Sequence, residues 1–469
     1  MSLSSKNSFD YDLVCIGSGP AGQRAAVQAA KLGKKVAIVE KRPLVGGTCL
    51  DKGTIPSKTF REAVLTLSHR EDSHHPHTTS ATIRPTASNL LSRVNDIIQF
   101  EGEVVENQLF RNNVKMLKGD AFFSDPHTLR ITAEGDSESV TAENILIAVG
   151  TIPAPTPNVP VDGTTVVNSD GVLNLEQLPK TLAVVGAGVI GIEYASMFAE
   201  LGLEVIVVDG RDRPLEFLDE EIVDELIHQM RNKNVLFRLN ETVSHLEISS
   251  HPHRRAILQL ESGKRLVSDT VLYAIGRRGA TDSLNLKAAG LETDNRGRLN
   301  VNEQFQTAVP HIFAAGDVIG YPSLAATSSE QGRLAACYAF KVPTHPMVDH
   351  FPIGIYSIPE ISMVGKTEKA LTEAKIPYES GIARYREIAR GAIMGDQTGL
   401  FKMLFHRDDH RLLGVHAIGT GATELIHVGQ AVLGMGGGLD YFMKTVFNYP
   451  TLAECYKVAA LDAYNKLQE

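Results

Sequence analysis

Residues 11–22 read YDLVCIGSGPAG. The first half, Tyr11–Ile16, is apolar and predicts a buried parallel strand. The second half carries Gly17, Gly19 and Gly22, and an alanine-rich segment that predicts a helix follows. In this strand, turn and helix context, the glycines allow a tight turn and a close approach of backbone to a pyrophosphate, which the helix N-terminus stabilises. The stretch therefore predicts a dinucleotide-binding fold.

The acidic residue that completes such a site follows at the end of the next predicted strand. Lys35–Val39 is apolar and leads into Glu40, where a carboxylate accepts hydrogen bonds from an adenosine ribose. The same pattern recurs later in the chain, with the glycines Gly186, Gly188 and Gly191. Asp209 follows Gly186 at the spacing at which Glu40 follows Gly17. The chain is therefore expected to bind two dinucleotides, one of which can be a substrate.

The second acidic residue bears on the choice between NAD(H) and NADP(H). Asp209 favours the free 2′-hydroxyl of NAD(H), because a carboxylate repels a 2′-phosphate. The turn that follows contains Arg211 and Arg213, and either arginine could bind a 2′-phosphate with two parallel hydrogen bonds. The alternative is that both arginines only cover a surface loop. Recognition of both nucleotides is thus plausible from the sequence.

Composition excludes several classes of protein. A chain of 469 residues with 43% hydrophobic and 22% charged residues is expected to form two or three globular domains. A formal net charge of −9 gives no general reason to bind nucleic acid or an anionic membrane. No apolar run is long enough for a membrane helix, and the polar segment Met1–Asp10 lacks a signal-peptide core. We therefore expect a cytoplasmic protein.

No metal site is predicted. The four cysteines, Cys15, Cys49, Cys337 and Cys455, lack metal-ligand spacing. The histidines His74, His75 and His77 fall in the polar segment Glu71–Ser92, which reads as a solvated loop or insertion rather than as a metal-binding tract.

Residues 46–58 read GGTCLDKGTIPSK. They resemble the active-site helix of the flavin-dependent pyridine nucleotide-disulfide reductases, in which two cysteines form a redox disulfide under the flavin. Here Cys49 stands at the first cysteine position and Thr54 at the second. Because a hydroxyl can neither form a disulfide nor carry two electrons, the resemblance implies this family's fold without its dithiol chemistry.

The resemblance covers nearly the whole chain, from Tyr11 to Lys466, and implies one FAD per chain. Two further stretches carry it: Ile145–Thr151 resembles the family's ATG motif, and Thr307–Asp317 resembles its second FAD motif. A helix that begins near Ala325 is expected to direct its N-terminus at the flavin. The implied FAD-binding residues are Gly17, Gly19, Gly22, Glu40, Gly47, Thr48, Lys58, Gly150, Gly316, Asp317 and Ala325.

The family also implies roles for residues around the flavin. Lys58 would lie beside the flavin and pair with Glu193 where the nicotinamide stacks. Gly276, on the strand that returns from the second nucleotide fold, would belong to the substrate-nucleotide site. In FNYPTLAE, residues 447–454, Tyr449 replaces the histidine that serves the dithiol as acid and base, and Glu454 is retained. Tyrosine, with an ordinary pKa of about 10, is a poor proton acceptor near neutrality.

The implied fold class is α/β, with two Rossmann-like dinucleotide-binding domains and a C-terminal α+β dimerisation domain. The expected segments are 1–152 for the first part of the FAD domain, 153–272 for the NAD(P) domain, 273–349 for the second part of the FAD domain and 350–469 for the interface. A homodimer is expected from the same resemblance.

The signatures GTIPSK, residues 53–58, and FNYPT, residues 447–451, are similar to those of the soluble, Si-specific transhydrogenase branch of this family. That similarity implies hydride transfer between NADPH and NAD⁺ through FAD. The alternatives are an NAD(P)H-dependent flavin oxidoreductase that reduces a quinone, a dye or oxygen, and a degenerate dihydrolipoamide dehydrogenase-like protein. A flavoprotein that serves only as an interaction partner is disfavoured, because Lys58 and Glu193 are present.

Overall fold

The computed structural model describes residues 9–72, 86–156, 158–251 and 253–468. The chain divides into two compact units, each made of three stretches. Unit 1 contains Met1–Phe60, Ser88–Pro155 and Gly276–Met347, and unit 2 contains Arg61–Ala87, Thr156–Ile275 and Val348–Glu469. The histidines predicted to lie in a solvated loop, His74, His75 and His77, fall outside the described residues.

Unit 1 is built on a seven-stranded sheet that starts from the predicted strand Tyr11–Ile16. From one edge, the strands run in the order Lys115–Lys118, Val36–Glu40, Tyr11–Ile16, Asp136–Ile147, Thr128–Ala133 and Asp120–Asp125, and Ile312–Ala314 pairs with the end of Asp136–Ile147. The pairs among the first four strands, and the pair with Ile312–Ala314, are parallel. Buried aliphatic side chains cover both faces of this parallel part, as expected for parallel sheets.

One strand prediction in unit 1 is wrong. The alternating segments near residues 114–132 predict one small antiparallel sheet, but only Asp120–Asp125 and Thr128–Ala133 form such a sheet, together with the first half of Asp136–Ile147. Lys115–Lys118 instead pairs in parallel with Val36–Glu40. A short alternating segment cannot reveal its partner strand, because pairing depends on chain-distant contacts.

The helices of unit 1 flank the sheet. Pro20–Lys31 begins with proline in its first turn, where the missing N–H costs nothing. Gly332, in Ala325–Ala339, lies so close to the first helix that an added Cβ would stand 2.0 Å from the carbonyl oxygen of Ala21. The remaining helices that lie wholly or partly in unit 1 are Gly47–Asp51, Thr54–Asp72 and Ala87–Arg111, and a two-stranded sheet joins Thr151–Pro153 to Arg277–Gly279.

Unit 2 contains the second nucleotide fold. Its five-stranded parallel sheet has the order Leu236–Leu239, Glu204–Asp209, Thr181–Val185, Thr270–Tyr273 and Val166–Asn168. The helices Val189–Glu200 and Glu220–Asn232 accompany it. A three-stranded antiparallel sheet of Val243–Ser249, Arg255–Leu260 and Arg265–Ser268 completes this part.

The C-terminal part of unit 2 is α+β. Its five-stranded antiparallel sheet runs in the order Ile353–Ile355, Ile361–Gly365, Leu412–Ile418, Leu400–His406 and Tyr378–Arg384. The helices are Glu368–Glu373, Ala389–Met394, Ala422–Gly434, Leu439–Lys444 and Glu454–Leu467. Stacked aromatic rings, Phe442 on Tyr456, lie in the buried core between helices and sheet.

The α/β fold class with two Rossmann-like folds is confirmed. The sequence also predicts helices over 54–67 and 96–112. In the structure the first helix extends to Asp72, and the second begins already at Ala87. Both extensions shorten the predicted polar loop at 71–92. The four-segment domain division remains a proposal, since the contact-based units group its second and fourth segments together. Among the described residues, no helix is long and apolar enough to cross a membrane.

Candidate active site

The first glycine fingerprint in unit 1 is shaped by backbone contacts. At Gly17, which has φ +102°, an added Cβ would stand 2.5 Å from the carbonyl oxygen of Ala148, and at Gly22 it would stand 1.9 Å from that of Gly17. At Gly19, by contrast, no heavy atom of the described residues lies within 4 Å of such a Cβ. The outer glycines therefore close the turn, while the middle one exposes backbone to a space that a pyrophosphate can fill.

The second fingerprint, in unit 2, repeats this geometry. A Cβ at Gly186, which has φ +108°, would lie 2.5 Å from the carbonyl oxygen of Ala274, and one at Gly191 would lie 1.9 Å from that of Gly186. Gly188 again has open space around it among the described residues. The chain thus contains two glycine turns in which the outer glycines are closely packed and the middle glycine has open space around it.

The predicted acidic residues bind the residue that follows the first glycine of each fingerprint. Glu40 is buried and accepts hydrogen bonds from Ser18, at 3.0 Å from its backbone N–H and 2.6 Å from its hydroxyl. Asp209 accepts one at 2.5 Å from the backbone N–H of Ala187. Each carboxylate therefore lies at the turn where the ribose of a dinucleotide binds.

Ser18 links the fingerprint to the stretch 46–58, a role that its place between two glycines did not suggest. Its hydroxyl oxygen accepts a hydrogen bond of 2.9 Å from the N–H of Gly46. A Cβ at Gly47 would stand 2.8 Å from the Cα of Gly19, so this glycine packs directly on the fingerprint. The predicted Gly47 therefore lies beside Gly19, and Thr48 follows it directly in the chain.

Arg42 is a second residue that sequence reasoning missed. Its guanidinium donates to Asp51 at 2.7 Å and to the Thr48 hydroxyl at 3.1 Å, and its backbone N–H donates to Glu40 at 2.9 Å. In the sequence, the only sign of this role is that an arginine stands two residues after Glu40. Arg42 holds the helix Gly47–Asp51 to the end of the strand that carries Glu40.

The second FAD motif is held at the end of the parallel strand Ile312–Ala314. The N–H of Gly316 donates to the Gln331 side chain at 2.8 Å. Asp317 is largely buried, and burial raises its pKa above the ordinary value although Arg277 and the Ser328 hydroxyl act in the opposite direction. Ala325 is the first residue of its helix, as predicted.

Arg277 connects Asp317 with the turn at Gly150. Its guanidinium donates to the side-chain and backbone oxygens of Thr151 at 3.0 and 2.9 Å. The neighbouring Gly276 accepts from the N–H of Ala154 at 3.0 Å and lies in unit 1. Its assignment to the substrate-nucleotide site therefore stays a prediction.

The Cys49 thiol lies near Thr54, the residue that stands at the second cysteine position. Cys49 and Thr54 interact through their side chains. Burial is the largest influence on the Cys49 thiol and raises its pKa, and the nearby Asp317 acts in the same direction, whereas Thr54 and Lys58 lower it. The fold thus brings together Cys49, Thr54, Lys58 and Asp317, and it leaves the thiol protonated at neutral pH.

Glu193, in the helix Val189–Glu200 of unit 2, is buried. Its carboxylate accepts a hydrogen bond of 2.8 Å from the N–H of Tyr356. Three residues on, the hydroxyl of Ser196 accepts one of 2.9 Å from the N–H of Ile358. Lys58 belongs to unit 1, so the expected pairing of Lys58 with Glu193 remains a prediction.

The two arginines after Asp209 have different partners. Arg211 binds the Asp209 carboxylate with two hydrogen bonds of 2.9 and 2.8 Å, and its own N–H donates a third of 2.9 Å. Burial alone would raise the pKa of Asp209, but the hydrogen bonds from Arg211 and Ala187 hold it below the ordinary value. Arg213 turns away to the helix Glu220–Asn232, where it contacts Asp224.

The C-terminal segment exposes Tyr449, a residue that is 74% accessible in this chain. Glu454 begins the last helix, and its Oε2 atom is buried without a hydrogen-bond partner among the described residues. The structure therefore presents the tyrosine on the surface of the C-terminal part of unit 2, and its predicted reach towards a partner's flavin site stays a proposal.

The comparisons with known proteins agree with this geometry. The family described as pyridine nucleotide-disulphide oxidoreductase matches residues 11–332, and its dimerisation domain matches residues 351–460. The soluble pyridine nucleotide transhydrogenase of Mycobacterium bovis (strain BCG / Pasteur 1173P2) is 51% identical over 462 residues, covering 98% of both chains. That of Enterobacter sp. (strain 638) is 43% identical over 466 residues, 98% of this chain and 99% of that protein.

A solved structure extends the comparison. The HOCl-induced flavoprotein disulfide reductase RclA from Escherichia coli is 27% identical, with a TM-score of 0.86 over 96% of this chain and 99% of that chain. The dimerisation domain supports a homodimer. This chain belongs to the pyridine nucleotide-disulphide oxidoreductase family.

Proposed function

We propose that this chain transfers hydride between NADPH and NAD⁺ (NADPH + NAD⁺ = NADP⁺ + NADH) through FAD and without a redox disulfide. The observation that carries the proposal is the pair of side chains Cys49 and Thr54, a thiol beside a hydroxyl. It stands where the family has its dithiol, in a chain about half identical to a protein called a transhydrogenase. The family's nucleotide chemistry is supported by the residues present, whereas its disulfide chemistry is not.

The residues of unit 1 fit a flavin dinucleotide. The open space at Gly19 and the amides of the following helix suit a pyrophosphate, and Glu40 suits the adenosine ribose. Asp317, near the N-terminus of the helix Ala325–Ala339, suits the chain of hydroxyls that joins pyrophosphate and flavin ring. When bound, FAD supplies the hydride chemistry, accepting a hydride from one nicotinamide and passing it to another.

The residues of unit 2 fit the pyridine nucleotide substrates. Gly188 offers the pyrophosphate site. At the adenosine ribose, Asp209 suits the free 2′-hydroxyl of NAD(H), and Arg211 suits the 2′-phosphate of NADP(H).

Lys58, in unit 1, supplies a positive charge next to the Cys49 position, and Glu193 is the proposed partner of that lysine. One FAD per chain is part of the same proposal.

The overall reaction releases and consumes no proton, because a hydride leaves NADPH and the same hydride is gained by NAD⁺. An acid or base is therefore not required for turnover, in contrast with the reduction of a disulfide, where thiols have to be protonated. The presence of Tyr449 in place of the family's histidine is consistent with this requirement.

The test is an isotope transfer under anaerobic conditions. The FAD-loaded protein is mixed with NAD⁺ and with NADPH that carries deuterium at the nicotinamide C4 position. We expect deuterated NADH, detected by mass spectrometry, and equivalent transfer in the reverse direction. Samples of both C4 epimers are used, so that the transferred position is identified. A disulfide substrate added in place of NAD⁺ should not oxidise NADPH.

Consumption of NADPH without formation of NADH would contradict the proposal. If NADPH is consumed only when oxygen, a quinone or a dye is present, and NADH remains undetectable, the chain is an NAD(P)H-dependent flavin oxidoreductase instead. A protein that cannot be loaded with FAD at all would count against the cofactor assignment itself.

A further inference from the structure

The loop after the strand Glu204–Asp209 carries two arginines, of which only one lies at the predicted ribose site. Arg211 is on the carboxylate of Asp209, and its side chain is 42% exposed. Arg213 donates from Nη1 to the backbone carbonyl of Glu220 at 3.0 Å, and its Nη2 lies 3.0 Å from a carboxylate oxygen of Asp224. The second arginine is therefore bound to the helix Glu220–Asn232.

This helix is anchored at its start by a buried lysine. Lys402, on the strand Leu400–His406, is fully buried, and its ammonium lies 3.0 Å from Asp219, 2.7 Å from Glu221 and 2.8 Å from Glu368. An ammonium has three protons, so each carboxylate can receive one. Asp219 stands at the N-cap position but binds Lys402 instead of capping its own helix. The position of Asp224, one turn further along, is thereby fixed.

The contact between Arg213 and Asp224 is weak enough for a ligand to compete with it. The side chains are 31% and 61% exposed, and such pairs contribute at most about 1 kcal/mol. A 2′-phosphate attracts a second guanidinium with strong charge-assisted hydrogen bonds. Neutralising the Asp224 carboxylate alone can therefore shift the balance of Arg213 from Asp224 towards the 2′-phosphate.

We propose that Asp224 is a specificity-determining residue that withholds Arg213 from the 2′-phosphate of NADP(H), so that Arg211 alone recognises this phosphate. The inference rests on the proposed function, because an enzyme that exchanges NADP(H) for NAD(H) at one site needs weak discrimination between them. Two arginines on the phosphate would favour NADP(H), whereas Asp209 with one arginine leaves the two nucleotides closer in affinity.

The experiment compares variants of the FAD-loaded protein with NADPH and with NADH as separate hydride donors. Asp224→Asn should raise kcat/KM for NADPH by about two- to fivefold, the scale of a partly exposed ion pair, and leave that for NADH unchanged. The matched control is Glu225→Gln. Its carboxylate is the next on the same helix and accepts from Gln229 at 2.8 Å, so its loss should leave the ratio for the two donors unchanged.

A double variant shows whether the effect of Asp224→Asn on NADPH acts through Arg213. In the Arg213→Ala background, Asp224→Asn should produce no further gain for NADPH, because the arginine to be released is missing. Binding of 2′,5′-ADP and of 5′-AMP, measured by calorimetry, should follow the same pattern, with tighter binding of 2′,5′-ADP alone in Asp224→Asn. This readout does not require turnover.

A failure of the proposed function and a failure of the role proposed for Asp224 give different results. If the unmodified protein turns over NADH but not NADPH, the proposed function is wrong, while the 2′,5′-ADP comparison still decides the role of Asp224. If Asp224→Asn changes both donors alike, or if its gain persists without Arg213, the residue acts through general charge or through stability, and the inference is overturned. The same holds if 2′,5′-ADP binds no more tightly to Asp224→Asn than to the unmodified protein.

Discussion

Asp209 and Arg211 form an ion pair that each nucleotide has to open in its own way. In the proposed site, the ribose hydroxyls of NAD(H) would use the carboxylate oxygens that Arg211 now occupies, and the 2′-phosphate of NADP(H) would use the guanidinium. Both nucleotides would then break the same pair before they bind. The cost of opening it is common to both and does not itself favour either.

Arg211→Ala should weaken NADP(H) by about 1–3 kcal/mol, the scale of a charged hydrogen bond, and change NAD(H) little. Asp209→Asn should do the reverse, since it removes the acceptor for the ribose and the repulsion of the phosphate. The measurement is kcat/KM for each nucleotide as donor. Lys233→Ala is the control, because this lysine pairs with Glu200. Equal losses of both nucleotides in Arg211→Ala would make the arginine purely structural.

At the scale of elements, the buried Lys402 ties the helix Glu220–Asn232 to the C-terminal sheet. Three carboxylates that are close enough together to hold a metal ion, those of Asp219, Glu221 and Glu368, surround its ammonium. Burial alone would raise the pKa of Asp219, but His416 and Lys402 hold it below the ordinary value. The ammonium therefore provides the positive charge that this group of acids needs.

Lys402→Met should lower the free energy of unfolding by about 3–5 kcal/mol, because the variant leaves the buried carboxylate of Asp219 without its cation. The loss should be largest near neutral pH. A lowered folded pKa means that Asp219 contributes stability above its unfolded pKa and loses it as the pH falls through the folded value. The difference in thermal midpoint between the two proteins should therefore shrink below about pH 4.

The control for this prediction is Lys444→Met, in which a fully solvated pair with Asp440 is lost. Exposed pairs of this kind contribute little, so its thermal midpoint should match that of the unmodified protein at every pH. A Lys402→Met protein with an unchanged midpoint at pH 7 would show that the buried Asp219 does not depend on Lys402 in the folded chain.

At the scale of the whole molecule, the homodimer provides the next prediction. Val446, in the segment before Tyr449, is 94% exposed in the single chain and lies within the matched dimerisation domain. If this surface forms the interface, Val446→Glu should weaken the dimer, because it would place a charge in an apolar contact. Val267→Glu, in the antiparallel sheet of the nucleotide fold, is the control.

Light scattering over a range of protein concentrations gives the result directly. The unmodified protein and Val267→Glu should have twice the mass of one chain, and Val446→Glu should dissociate on dilution. Equal dissociation of all three proteins, or a stable monomer of the unmodified chain, would contradict the assignment of this surface.

Much of the candidate site could be predicted from sequence because its signals are local. The glycines at 17 and 186 and the acids Glu40 and Asp209 follow one another at fixed spacing within β-α-β units. The partner of Arg213 lies nearby in the chain, but the sequence pattern does not show towards which side the arginine turns. The role of Ser18 could not be predicted, because it depends on contacts with the chain-distant Glu40 and Gly46. The same reason explains the strand Lys115–Lys118, whose alternating pattern indicated its conformation but not its neighbour.

The presence of Thr54 in place of a second cysteine also limits how many electrons the proposed active site can store. A dithiol and disulfide couple holds one electron pair of its own, and a thiol beside a hydroxyl holds none. Under the proposed function, with one FAD per chain, the protein's own residues would add nothing to the one hydride equivalent that the flavin can hold. Donor and acceptor nucleotides would then have to alternate strictly. Under anaerobic conditions, oxidation of the donor should therefore stop after one equivalent per chain when only donor is supplied, however large its excess.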